Sequence, residues 1–124
     1  MPATILIVDD SATMRALVRT ALEADAHVAV EAVNGAAALA MLAHTAVDLV
    51  ITDVLMPEMD GLSLTRALRA DARFRAVPIL VLTTEATTAV KEHGRAAGAT
   101  AWLVKPFHPG TLRDTVRRAL SERG

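Results

Sequence analysis

The chain has 124 residues, 52% of them hydrophobic, which suits one compact domain spanning residues 1–124 and leaves too little length for two. Thirteen basic residues against fourteen acidic ones leave a formal net charge of -1, so no electrostatic footprint points to nucleic acid or to an anionic membrane surface. With no cysteine, disulfides, thiolate metal sites and cysteine nucleophiles are excluded.

The N-terminal stretch MPATILIVDD has no basic segment ahead of its short apolar run and meets two acids at once, so it does not read as a signal peptide. No apolar run approaches the ~20 residues needed to cross a bilayer. A soluble, cytoplasmic monomer is the expectation.

Thr4 to Val8 (TILIV) is too short for a buried helix and too apolar for a one-sided strand, and reads as a strand covered on both faces. Behind it, Met14, Leu17, Val18, Ala21 and Leu22 fall on one helical stripe, with Arg15, Arg19 and Glu23 off it. The unit then repeats. VAVEAV (Val28 to Val33) precedes an Ala-rich helix with Leu39 and Leu42, and DLVIT precedes a helix with Leu64, Ala67 and Leu68. PILVLT (Pro78 to Thr83) precedes a helix from about Thr88 to Ala97, and AWLV (Ala101 to Val104) precedes a last helix with Leu112, Val116, Ala119 and Leu120.

Five strand-helix units predict parallel strands joined by right-handed crossovers, that is, a doubly wound α/β sheet with helices on both faces. Gly98 suits a left-handed cap after the fourth helix. That helix is the weakest, with little more than Val90 among alanines on its apolar side. Gly94 inside it costs about 1 kcal/mol relative to Ala.

Ligands of open α/β sheets bind outside the carboxyl ends of the strands. Asp9 and Asp10 stand at the end of the first strand, Asp53 at the third, Thr83 and Thr84 at the fourth and Lys105 at the fifth, while Asn34-Gly35 after the second reads as a simple turn. Taken singly, most have a structural explanation: Asp10 or Ser11 and Asp60 as helix N-caps, Lys105 as a surface charge. Taken together they form a converging polar site. Three carboxylates in one place repel one another unless a cation compensates them. An oxygen-only donor set suits Mg²⁺, which is commonly shared with a phosphate. Lys105 then offers a point charge and Thr83 a hydroxyl to phosphate oxygens. A carboxylate ionised at neutral pH needs no general base to act as a nucleophile, which makes Asp53 the candidate phosphoryl acceptor.

The segments VDDSATMR, DVLMPEMDG, VLTTEA and AWLVKPF, in that order and spacing along the whole chain, resemble the receiver domain of two-component response regulators, and among these the stand-alone chemotaxis (CheY-like) type. The resemblance implies a flavodoxin-like sheet of order 2-1-3-4-5. It implies that Asp53 takes a phosphoryl group from a phosphohistidine on a sensor histidine kinase or phosphotransfer protein. Asp9, Asp10, Asp53 and the backbone carbonyl of Leu55 would hold Mg²⁺, Lys105 and Thr83 would bind the phosphoryl oxygens, and the Lys105-Pro106 bond would be cis. Thr83 would couple to an inward turn of Trp102, altering the face built by the fourth helix, fifth strand and fifth helix for an output protein, with chemotaxis signalling as the implied setting.

Such a domain catalyses only its own phosphorylation and dephosphorylation and is not otherwise an enzyme. Leu55 has no polar group to orient an attacking water, so slow self-dephosphorylation is expected. Two other readings compete: an interaction module that is never phosphorylated, and an Asp-nucleophile phosphohydrolase. The first would lack the acid pocket or the lysine, and both are present. The second would need a second Asp two places after the nucleophile, where Leu55 stands. His27, His44, His93 and His108 are dispersed and are expected at the surface, as are Arg113, Arg117, Arg118 and Arg123 on the last helix. Met14, Met41, Met56 and Met59 are read as packing residues, and Pro57 and Gly61 as turn residues that aim Asp53.

Overall fold

The computed structural model describes residues 2–56, 58–84 and 87–122, so the expectations for Pro57 and Arg123 fall outside the described residues. Five strands, β1 (Thr4–Val8), β2 (Val28–Ala32), β3 (Leu49–Asp53), β4 (Ile79–Thr83) and β5 (Ala101–Val104), alternate with α1 (Ala12–Glu23), α2 (Gly35–Leu42), α3 (Gly61–Arg69), α4 (Thr88–Ala97) and α5 (Pro109–Glu122). The strands pair in parallel in the order β2-β1-β3-β4-β5. This is the doubly wound α/β sheet expected from the repeating strand-helix pattern.

Side chains alternate across each strand, which divides the core into two layers. On one face Ile5, Ile7, Leu49, Ile51, Leu80 and Leu82 pack with Val18, Ala21 and Leu22 of α1 and Leu112, Val116 and Ala119 of α5. On the other, Leu6, Val8, Val50, Ile79 and Val81 pack with Ala38 and Leu42 of α2 and Leu64 and Leu68 of α3. The central strands β1, β3 and β4 are therefore apolar through Ile5–Val8, Leu49–Ile51 and Ile79–Leu82, as strands covered on both faces must be, and β3 and β4 turn polar only at their carboxyl ends, at Thr52-Asp53 and Thr83.

Ahead of α1, α2, α3 and α4 the chain leaves the sheet into a helix start that its own sequence caps. The side chains of Ser11, Asn34, Asp60 and Thr87 accept from the backbone N–H of Met14, Ala37, Ser63 and Val90 at 3.2, 2.8, 2.7 and 3.2 Å. Asn34-Gly35 is thus the cap and first residue of α2, not the simple turn expected. The turn reading missed that Asn is as good a helix cap as it is a turn former.

Gly98 closes α4 at φ 105, in the left-handed region expected for it. Of the residues in α4, Gly94 and Ala97 are the ones buried, in keeping with its weak apolar face. Among the described residues no helix is long and apolar enough to cross a membrane. His44, His93 and His108 are exposed as expected, while half-buried His27 accepts the backbone N–H of Ala3 on Nδ1 at 3.0 Å.

Candidate functional site

The parallel sheet gathers its polar strand ends at one edge. Asp9 follows β1 directly and is buried at 2% exposure, Asp10 beside it is exposed, and Asp53 is the half-buried last residue of β3. Each carboxylate places an oxygen so that the three lie within 4.8 Å of one another. Residues 44 positions apart in the chain, Asp9 and Asp53, meet because β1 and β3 are neighbours in register, with Val8 opposite Thr52.

Lys105, just past β5, reaches into this cluster. Its Nζ lies 3.3 Å from Asp9 Oδ2 and 3.2 Å from Asp53 Oδ2, and its side chain is only 12% exposed. Its backbone N–H donates to the carbonyl of Thr83 at 2.7 Å, which ties the end of β5 to the end of β4. Thr83 is itself buried, and the Lys105-Pro106 peptide is cis, as the family resemblance implied.

Burial pushes the Asp53 carboxyl above the ordinary carboxylate range, and the Asp9 charge adds to this. Lys105 and the Val54 N–H, which donates to Asp53 Oδ1 at 2.8 Å, act in the opposite direction. One ammonium against three carboxylates leaves the cluster net negative. The donor set is all oxygen, two of its three acids are shielded from solvent, and the charge balance calls for a cation, so the residues fit a hard divalent ion such as Mg²⁺.

The turn behind Asp53 is held by backbone. Gly61 donates its N–H to the Val54 carbonyl at 2.9 Å, and Thr52 Oγ1 donates to the Asp53 carbonyl at 2.9 Å. A Cβ built on Gly61 would run into the Asp53 carbonyl. Close approach to the Asp53 backbone, not an unusual backbone angle, is what this glycine supplies. Leu55 lies beyond this turn with its side chain outward, 72% exposed. Trp102 on β5 packs with the α2/α3 layer and against Gly94 of α4, and its indole Nε1 is buried with no hydrogen-bond partner among the described residues.

Two contacts to Asp9 had no expectation attached to them. The Ser11 backbone N–H donates to Asp9 Oδ1 at 2.9 Å, and Arg15 Nη1 donates to the Asp9 backbone carbonyl at 2.7 Å. The sequence marks Arg15 only as a charge off the apolar stripe of α1, which ordinarily means a solvated face.

The model of the family described as "Response regulator receiver domain" matches residues 5–117. Chemotaxis protein CheY1 of Helicobacter pylori is 38% identical over 118 residues, covering 94% of this chain and 95% of that protein. Response regulator Rre1 of Synechocystis is 37% identical over 121 residues, 97% of this chain, which spans only about half (52%) of that longer protein. Among solved structures, chemotaxis response regulator CheY4 of Vibrio cholerae superposes with a TM-score of 0.91 at 40% identity, covering 96% of this chain and 99% of that one. With a receiver model over most of its length and relatives of this identity, the chain belongs to the family of response regulator receiver domains.

Proposed function

We propose that residues 1–124 act as a single receiver unit in which Asp53 accepts a phosphoryl group from a phosphohistidine on a sensor kinase or phosphotransfer protein. The observation that carries this reading is the placement of Lys105 Nζ within 3.3 Å of both Asp9 and Asp53, at the edge of a three-carboxylate cluster. A carboxylate at a strand end, with a cation at its side, is poised for attack on phosphorus.

In the transfer, a carboxylate oxygen of Asp53 forms the new P–O bond. The donor's P–N bond breaks, and its electron pair returns to the imidazole nitrogen. Lys105 faces the phosphoryl oxygens and releases part of its pairing with Asp53 as that carboxylate becomes an acyl phosphate. The Thr83 hydroxyl, at the end of β4 beside Lys105, donates to the same oxygens. Bound Mg²⁺ would supply the positive charge that offsets three carboxylates and an incoming phosphate. Asp9, Asp10, Asp53 and the Leu55 carbonyl would hold it.

The output is a switch: Thr83 shifts toward the phosphoryl group, Trp102 responds, and the face formed by α4, β5 and α5 changes for a partner protein. The thin apolar face of α4 supports this placement, because an element with few buried contacts is the one most easily displaced. Near end-to-end likeness to chemotaxis proteins supports an output in that kind of signalling. Beyond its own phosphorylation and dephosphorylation the domain turns over no substrate, and it works as a monomer in the cytoplasm.

The test follows Trp102 fluorescence as a small acyl phosphate donor is added in Mg²⁺. The expected result is a signal that needs Mg²⁺ and disappears in Asp53→Asn. No signal, or one that survives in Asp53→Asn, overturns the reading.

A further inference from the structure

Asp9 is the most deeply buried acid of the cluster, and every polar group it owns has a protein partner. Its N–H donates to the Ala32 carbonyl at 3.1 Å, Oδ1 accepts from Ser11 N–H at 2.9 Å, and Oδ2 accepts from Lys105 at 3.3 Å. Its carbonyl accepts from Arg15 Nη1 at 2.7 Å. The last contact is unlike the others, because it comes from a charged side chain whose own orientation is fixed from another strand. Arg15 Nε donates to Glu31 Oε1 of β2 at 2.8 Å, while Glu31 Oε2 accepts from Arg19 Nε at 2.7 Å. Arg15 is only 15% exposed, and the two guanidinium groups, Arg19 foremost, hold the Glu31 carboxyl below its usual range.

We propose that Arg15, aligned by Glu31, is a positioning residue for Asp9: it fixes the backbone at the end of β1 so that the Asp9 carboxylate faces the cation site. The inference rests on the reading of Asp9 as part of a Mg²⁺ site and adds to it a residue that touches neither the ion nor the phosphoryl group. The planar guanidinium spans a carboxylate and a carbonyl in fixed directions, which a lysine cannot reproduce. Groups that orient ligand residues are commonly worth ten- to a hundredfold in metal affinity.

Electrostatics alone predicts the opposite sign. Removing a positive charge from the vicinity of a cation site tightens cation binding. Positioning weakens it, so the sign decides between them. A mere anchor of α1 to β2 would lower stability and leave affinity alone.

The experiment is calorimetric titration of the metal-free chain with Mg²⁺ in wild type, Arg15→Gln, Arg15→Lys, Glu31→Gln and the Arg15→Gln/Glu31→Gln double variant, with urea unfolding of each. The expected result is a Mg²⁺ Kd about tenfold higher in Arg15→Gln and in the charge-neutral double variant, because the two residues act through one contact. Arg15→Lys, which keeps the charge and is the variant of choice if Arg15→Gln does not fold, is also expected to weaken binding. Unchanged or tighter binding in Arg15→Gln and Arg15→Lys, beside normal wild-type binding, overturns the positioning role and leaves the Mg²⁺ site standing. A wild type that takes up no Mg²⁺ overturns both.

Discussion

Gly94, inside α4, lies so close to the indole of Trp102 on β5 that a Cβ built on it would overlap the ring edge. The helix accepts a residue that weakens it, and the space gained is filled by the chain's single tryptophan. For Gly94→Ala, better helix propensity contributes about 1 kcal/mol, while overpacking against the ring costs about 1–3 kcal/mol. The expected outcome is a near-neutral to modestly destabilised protein in urea unfolding, with red-shifted fluorescence because the indole is driven outward. An unshifted spectrum would show that the ring does not depend on Gly94.

Gly61 meets backbone instead of a movable side chain. Its neighbour is the carbonyl of Asp53, and nothing there can rotate away. Gly61→Ala is expected to lose about 3 kcal/mol in urea unfolding, the upper end of overpacking penalties. Gly110→Ala, whose nearest neighbour is the exposed His108 side chain, serves as the control and is expected to change little.

The pattern of strands and helices was readable because its cause is local: both-face burial makes the body of a strand a continuous apolar run, and one-face burial puts stripes on a helix. The acid pocket was readable for a related reason, since parallel strands must bring their carboxyl ends to one edge. What could not be read depends on distance in three dimensions. Arg15 looks solvated until the sheet sets Glu31 of β2 and the Asp9 carbonyl on either side of it. Gly94 looks like a defect until Trp102 is seen against it. Asn34 reads as a turn residue from sequence and is instead the cap of α2, because the same side chain that closes a turn also caps a helix and only the position of α2 decides which.

Asp53 links function to pH-dependent stability. A carboxyl whose pKa is higher in the folded chain than in the unfolded one holds its proton more tightly when folded. Its stabilising contribution is full below the ordinary carboxylate range and is lost as pH rises through the raised value. In metal-free protein, Asp53→Asn is therefore expected to be more stable than wild type at neutral pH, with the gap closing on acidification. Added Mg²⁺ should stabilise wild type more than the variant, in proportion to their affinities. Urea midpoints across pH, with and without Mg²⁺, check both; a variant less stable than wild type at neutral pH without Mg²⁺ would contradict the burial argument.

Leu55 stands two places after the acceptor with an exposed aliphatic side chain that cannot orient water. Leu55→Asn places an amide there and is expected to shorten the lifetime of the phosphorylated form several-fold, with its formation little affected. The decay of phosphoprotein after removal of the donor measures this. Equal lifetimes in the two proteins would mean that this position does not limit hydrolysis.

The most direct test of Asp53 as phosphoryl acceptor is intact-mass spectrometry after incubation with Mg²⁺ and a small acyl phosphate, in wild type and Asp53→Asn. The expected result is the addition of one phosphoryl group to wild type, abolished by chelation of Mg²⁺ and absent from the variant. Wild type that gains no mass, or a variant that gains as much, would contradict it.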